Sequence, residues 1–196
     1  EEWLPVFGYH DRWKKLSLDD FSFEYKNDYI VNDKGYRIYS GIKSPKKSDY
    51  EKGSQMKANV PFFNKYYLES IKKMCEENGA ELMLVSIPSI KDWNLERHNS
   101  AAKLSEALRI QYMDMNMMSD EISIDWSRDS RDGGEHLNQI GAEKVTSYFG
   151  EFLHSKNIFA DRRDDEKLAH WFEAYKTFLE KAEKIKAKDL AHIKKK

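Results

Sequence analysis

Several features that would point to a particular class of protein are missing from this sequence of 196 residues. The single cysteine, Cys75, excludes an internal disulfide. No stretch approaches the roughly 18 apolar residues that a membrane-spanning helix requires. The 33 basic residues balance the 34 acidic ones, so charge does not favour nucleic acid as a partner. A partner therefore has to be inferred from individual sites.

The signatures of a metal centre are weak as well. The six histidines contain no His-x-x-x-His pair of the kind that binds zinc from one face of a helix. A metal site built from His10, His98, His136 and nearby aspartates stays a minor alternative. The sequence otherwise predicts neither a metal nor a cofactor.

Hydrophobic residues (40%) and aromatic residues (13%) are frequent enough for the core of one domain. Residues 1–60 alternate aromatic and charged side chains without a sustained period, which predicts an irregular segment of that domain. Residues 61–160 carry the patterns of an α/β core, and residues 161–196 those of a helical extension.

Helix and strand patterns alternate in the central part of the chain. Apolar residues recur at helical spacing from Pro61 to a stop at Gly79, and the apolar run 81–87 predicts a strand buried on both faces. A second helix at 97–108 and a strand at 110–113, ending at Asp114, repeat the pattern. The predicted fold class is α/β with a parallel sheet.

Two more helices are predicted towards the C-terminus. Asn138 occupies the N-cap position of an amphipathic helix. Residues 165–193 predict a long helix, whose apolar stripe either closes over the domain core, which we favour, or pairs with another chain.

The densest chemical signal lies at 125–138 (DWSRDSRDGGEHLN). A hydrolytic histidine needs a carboxylate on one ring nitrogen to fix its tautomer, while the other nitrogen faces the nucleophile. Asp132 and His136 can form such a pair, because Gly133 and Gly134 can adopt the positive φ angles of a tight turn. The alternative is that His136 is an ordinary surface residue of an acidic loop.

The block from His136 onward (HLNQIGAEKVTSYFGEFL) resembles the closing block of SGNH, or GDSL-like, hydrolases, in which Asp-x-x-His precedes Asn, Gly-Ala and an amphipathic helix. Other segments resemble a Gram-positive subset of that superfamily, whose membrane-anchored domains are thought to esterify or de-esterify cell-surface polysaccharide. These segments are Tyr9-His10-Asp11-Arg12-Trp13, Val85-Ser86-Ile87-Pro88-Ser89 with Trp93 and His98-Asn99, and Arg162-Arg163-Asp164-Asp165 with Trp171.

This resemblance implies a partial flavodoxin-like, three-layer α/β/α fold with a long C-terminal helix. It implies an esterase or O-acyltransferase that acts on acyl esters of a cell-surface carbohydrate, with acetyl as the favoured acyl group. His136 and Asp132 would be catalytic, and the site would be lined by Asn138, His10, Arg12, His98 and Trp93. The partners would be the carbohydrate or acyl-ester substrate and either an upstream segment or a membrane acyl-transfer protein. The parent protein would lie outside the cell or at its surface.

The sequence departs from the family pattern in two respects. Asp132 and His136 stand one residue further apart than usual, which leaves Asp129 and Asp125 as alternative partners of the histidine. The Gly-Asp-Ser-like turn of the nucleophile is missing, since Ser40-Gly41, Ser54 and Ser86 stand in unsuitable contexts.

We therefore expect the C-terminal part of such an enzyme, inactive by itself. The alternative is a non-catalytic carbohydrate-binding or scaffolding module of SGNH shape, in which Trp3, Trp13 and Trp93 stack on sugar rings.

Overall fold

The computed structural model describes residues 36, 38–46 and 56–193, with side chains described as far as Ala191. Contacts group Ile38–Lys196 into one compact unit. The predicted irregular segment 1–60 therefore lies largely outside the described residues. The same holds for two predicted site residues, His10 and Arg12, and for Trp3 and Trp13.

The predicted order of helices and strands is confirmed. The elements are α1 (Phe62–Glu77), β1 (Met83–Ser86), α2 (Leu95–Leu108), β2 (Gln111–Asp114), α3 (Gln139–Ser155) and α4 (Ala169–Ile193), with a short 3-10 turn at Glu166–Leu168. Gly79 ends the turn after α1 with φ at +66°, in keeping with its predicted role as a stop.

The two strands pair in parallel, as predicted for an α/β fold. Met83 lies opposite Gln111 and Ser86 opposite Asp114, so both strands end at one edge. Parallel strands need a crossover connection, which α2 supplies. Within residues 56–193 the sheet has these two strands. The protein thus has a mixed α/β architecture. The three-layer flavodoxin-like arrangement stays a prediction, because a sheet of two strands fits several α/β folds.

The prediction that the first strand is buried on both faces is wrong. Val85 of β1 is 37% exposed, and Ile87 just beyond it is 60% exposed. A strand inside a parallel sheet has neighbours on both edges and helices on both faces. β1 has one described neighbour, β2, and α1 contains no buried residue. The apolar stripe of α1 is also largely exposed.

The core lies between β2, the loop after it and α3. Its buried side chains are Met113, Met115, Ile122 and Val145. Met83 of β1 and the aromatic face of α3 pack against this cluster. α3 is therefore held against the carboxyl end of the sheet, where the predicted catalytic loop enters it.

The C-terminal half of α4 packs against the domain. Ala182 is fully buried, and the buried carboxylate of Asp189 accepts hydrogen bonds from Ser40 Oγ at 2.7 Å and from the Gly41 amide at about 3.0 Å. Near the start of the helix, Trp171 and Tyr175 remain about half exposed. The apolar stripe of α4 thus packs against the domain through the C-terminal half of the helix. No helix among the described residues is both long and apolar enough to cross a membrane.

Asn138 is the N-cap of α3, as predicted. Its Oδ1 accepts hydrogen bonds from the amides of Ile140 and Gly141 at 3.0 and 3.2 Å. Its Nδ2 donates to the carbonyl oxygens of Gly41 and Arg128 at 2.9 and 2.8 Å. One buried side chain therefore caps the helix and ties two loops to it.

Asn138→Ala should lower the free energy of unfolding by about 3 kcal/mol, because the cap contributes about 1 kcal/mol and two partly buried carbonyls each lose a donor worth about 1 kcal/mol. The matched control is Asn94→Ala, since Asn94 caps α2 through a single bond to the Arg97 amide and should cost only about 1 kcal/mol. Urea unfolding measures both. Equal losses would contradict the role assigned to Asn138.

Candidate active site

A closed hairpin carries the predicted catalytic residues. Ser130 and Leu137 form an antiparallel bridge, and the Arg131 amide donates to the His136 carbonyl at 3.1 Å. The buried Ser130 hydroxyl accepts the amides of Gly133 and Gly134 at 3.1 and 2.7 Å. Both glycines have φ near +100°, a conformation that costs other residues about 1–2 kcal/mol. The turn brings residues 132 and 136 together.

Asp132 and His136 make two contacts across this turn. The Asp132 Oδ1 accepts the His136 backbone amide at 2.8 Å, and its Oδ2 lies 2.7 Å from His136 Nδ1. A carboxylate only accepts hydrogen bonds, so Nδ1 carries the proton and Nε2 of the neutral ring is left as a base. The His136 side chain is 55% exposed and the Asp132 side chain 29%. The pair is thus oriented as a hydrolase requires and open to solvent.

The electrostatic setting keeps Asp132 ionised. Burial acts to raise the pKa of Asp132, but hydrogen bonds from the His136 amide and ring and from Arg131 outweigh it and lower the pKa to about 2. The Arg131 Nε lies 3.3 Å from Asp132 Oδ2, and its guanidinium stacks on the Tyr39 ring at 3.8 Å. Asp132, ionised at neutral pH, can stabilise the imidazolium that forms when His136 takes a proton.

The two alternative aspartates bind other groups. Asp129 is fully buried, pairs with Lys144 Nζ at 2.5 Å and accepts the Asp125 amide at 2.8 Å. Asp125 Oδ1 accepts the amide and hydroxyl of Ser127 at 3.0 and 2.6 Å. Of the three candidates, Asp132 is the one bonded to His136.

A second Asp–His pair, which sequence reasoning missed, lies at the end of β2. Asp114 Oδ2 is 2.7 Å from His98 Nδ1 and accepts Trp93 Nε1 at 2.8 Å. Its Oδ1 accepts the backbone amide and the Nδ2 of Asn116 at 2.9 and 2.8 Å. Burial acts to raise the pKa of Asp114, but the bonds from Asn116, Trp93 and His98 lower it overall. The signal was an aspartate at the carboxyl end of a parallel strand, where sites of α/β proteins form.

The predicted lining residues are thus divided between two groups. Trp93 and His98 belong to the Asp114 cluster, and no hydrogen bond or ring contact among the described residues joins them to His136. Because its indole nitrogen is bound to Asp114, Trp93 is held in place by the protein. Asn138 lies directly after the hairpin and acts as a helix cap. The structure therefore does not gather His98 and His136 around a common metal position.

One cluster offers metal-ligand atoms. Single atoms of Asp132, Glu135 and His136 all lie within 4.8 Å of one another. Glu135 is already paired with Lys91, and Asp132 is engaged by the two N–H groups of His136. A cation would have to displace these partners, so the donor set fits a hydrogen-bonded pair better than a metal centre.

The substrate position is not enclosed by the described residues around His136. A cavity of about 700 Å³ lies between α3 and α4, lined by Arg128, Lys144, Lys186 and others, and His136 does not line it. A second cavity of about 330 Å³ lies beside the end of α1. The ring of His136 is accessible from solvent, and its side chain is 55% exposed.

Comparisons with protein-family models, with curated proteins and with solved structures give no significant match for this chain.

His136→Ala should raise the pKa of Asp132 from about 2 towards its ordinary value, because the ring hydrogen bond is lost. Side-chain carboxyl ¹³C resonances followed from pH 6 to pH 1.5 measure this change. Asp161 is the internal control, because bonds from Arg163 lower its pKa to about 2 independently of the hairpin.

The pKa also predicts a pH dependence of stability. Since the pKa of Asp132 is lower in the folded state than in the unfolded chain, its contribution is complete above about pH 4 and is lost as the pH falls towards 2. The stability difference between the wild type and Asp132→Asn should shrink over that window. A difference independent of pH between 5 and 2 would show that the carboxylate is not stabilised by its partners.

Proposed function

We propose that this chain is the C-terminal part of an SGNH-type ester hydrolase or O-acyltransferase, in which His136 is the general base and Asp132 orients it. The observation that carries the proposal is the 2.7 Å contact between Asp132 Oδ2 and His136 Nδ1 on an exposed hairpin. The nucleophilic serine would come from a segment outside this chain.

The chemistry follows from the free ring nitrogen. A serine hydroxyl attacks the ester carbonyl and gives its proton to His136 Nε2, and Asp132 stabilises the imidazolium. The tetrahedral intermediate collapses when the ester C–O bond breaks, and the leaving alcohol takes the proton back from His136. Water then yields hydrolysis of the acyl-enzyme, whereas a sugar hydroxyl yields acyl transfer. In both cases His136 removes the proton of the acceptor.

Three serines at the hairpin and at the end of β1 bond to other groups. Ser130 accepts two glycine amides, Ser86 Oγ pairs with Tyr112 at 3.0 Å, and Ser89 Oγ donates to the Gly134 carbonyl at 3.2 Å. Within residues 38–46 and 56–193, no serine hydroxyl hydrogen-bonds to the His136 ring. This supports a nucleophile supplied from outside these residues.

The exposed apolar surface supports the same proposal. Val85 and Ile87 on and beyond β1 are accessible, as are Phe62 and Met74 on α1. A folded domain rarely leaves so many large apolar side chains uncovered on neighbouring elements unless they bind another segment. A further strand and its loop would cover this surface and bring a serine to the carboxyl edge of the sheet.

The class of substrate rests on the sequence resemblance. A cell-surface carbohydrate ester and a location at or outside the cell surface are thus part of the proposal. The non-catalytic alternative required His136 to face solvent with no carboxylate near it, and the contact with Asp132 weighs against that condition. Trp93, the described tryptophan that was expected to stack on a sugar, has its indole nitrogen bound to Asp114.

The direct test is release of p-nitrophenol from p-nitrophenyl acetate by this chain alone and by the full gene product that contains it. We expect activity in the full product only, and His136→Ala should lower it by about 10⁴-fold. His154→Ala is the matched control, since this exposed histidine lies at the far end of α3 and its loss should change the rate by less than twofold.

The same assay distinguishes the two Asp–His pairs. If His98→Ala abolished activity while His136→Ala did not, the base would be His98, and the proposed assignment would be wrong. Absence of activity in every form, with acetylated polysaccharide fragments tested as well, would favour the binding module.

A further inference from the structure

A chain of hydrogen bonds connects the buried Asp114 to the hairpin that carries His136. Asp114 Oδ1 accepts hydrogen bonds from the backbone amide and from the side-chain Nδ2 of Asn116. The Asn116 Oδ1 accepts the Ser89 amide at 2.7 Å, and its Nδ2 also donates to the Ile87 carbonyl at 3.3 Å. The loop between β1 and α2 is thereby fixed to the end of β2.

That loop in turn hydrogen-bonds to one backbone atom of the hairpin, next to the ion pair between Lys91 and Glu135. The Gly134 carbonyl oxygen accepts the Ser89 hydroxyl at 3.2 Å and the Lys91 amide at 3.1 Å. Gly134 is buried, and a Cβ placed on it would lie 2.8 Å from Ile90 Cγ1. Two hydrogen bonds and close packing against Ile90 therefore hold the turn in place two residues before His136.

We propose that Asn116 and Ser89 are positioning residues for His136, acting through the Gly134 carbonyl on the hairpin that brings Asp132 to the imidazole. This inference rests on the proposed function, because it gives His136 the role of base. It adds that the orientation of an exposed histidine is set from a buried carboxylate at the end of β2.

The physical reason lies in the different surroundings of the two aspartates. The Asp132 side chain is 29% exposed and His136 is 55% exposed, so water competes for their contact. Asp114, whose side chain is 2% exposed, is saturated by four donors and cannot move without breaking them. Attaching the exposed pair to the buried carboxylate reduces the freedom of the hairpin. The geometry of a catalytic pair has to be kept within a fraction of an ångström.

The test uses Asn116→Ala and Ser89→Ala in this chain of 196 residues, with the pKa of Asp132 as the readout. Loosening the hairpin should weaken the bonds that hold this pKa near 2, and we expect it to rise by about half a unit or more in Asn116→Ala and by less in Ser89→Ala. Ser89→Thr retains the hydroxyl and should restore the wild-type value. Asp161 should titrate unchanged in all variants.

A purely structural role is excluded by a matched variant. Ser105 is a buried serine on α2 whose hydroxyl bonds only to the Ala102 carbonyl at 2.9 Å, so Ser105→Ala should reduce stability without changing the pKa of Asp132. If Ser89→Ala behaves like Ser105→Ala, the proposal is overturned. Should Asn116→Ala fail to fold, the Ser89→Ala and Ser89→Thr pair decides the question.

The outcome is separable from that of the proposed function. The carboxyl titration needs no activity, so it tests positioning even if the full gene product proves inert. If the full product is active, Ser89→Ala should lower kcat about three- to tenfold with little change in KM, as expected for a group that acts on the base and touches no substrate. A three- to tenfold rise in KM with kcat unchanged would assign Ser89 to substrate binding and contradict the proposal.

Discussion

Burying the carboxylate of Asp114 at the end of β2 would cost several kcal/mol if hydrogen-bond donors did not replace the water that it loses. The donors come from three places: Asn116 in the loop after β2, Trp93 in the loop after β1, and His98 on α2. Satisfying this one group therefore fixes the relative positions of both strands' loops and of the crossover helix. The edge at which the candidate active site lies is organised by this requirement.

The two Asp–His pairs differ in what they can do. In the Asp114 pair, one carboxylate serves four donors and lies almost out of reach of solvent, which suits a structural hub. In the Asp132 pair, the carboxylate serves His136 and Arg131, and the ring is exposed. A general base has to meet a nucleophile and a substrate, so exposure together with a fixed tautomer favours His136 as the reactive group. The hub and the reactive pair are thus complementary parts of one edge.

The local sequence predicted the elements that depend on local signals. Helical periodicity and a glycine stop predicted α1, and an Asn followed by apolar residues at helical spacing predicted the cap at Asn138. The Gly133–Gly134 pair indicated a turn that brings Asp132 to His136. Burial was predicted less well, because whether Val85 is covered depends on neighbours that an apolar run does not specify. The hub at Asp114 was missed, since its donors lie up to 21 positions away in the sequence and meet it only after β1 and β2 pair.

The central claim is that Asp132 holds the proton of His136 on Nδ1, so that Nε2 is free to act as the base. Long-range ¹H–¹⁵N correlation spectra of the ring nitrogens, recorded at a pH where the imidazole is neutral, test this directly. We expect the Nδ1–H tautomer for His136, its loss in Asp132→Ala, and no change for His154 in the same spectra. A predominant Nε2–H tautomer in the wild-type chain would contradict the account, because His136 would then have no free Nε2 with which to take a proton from a nucleophile.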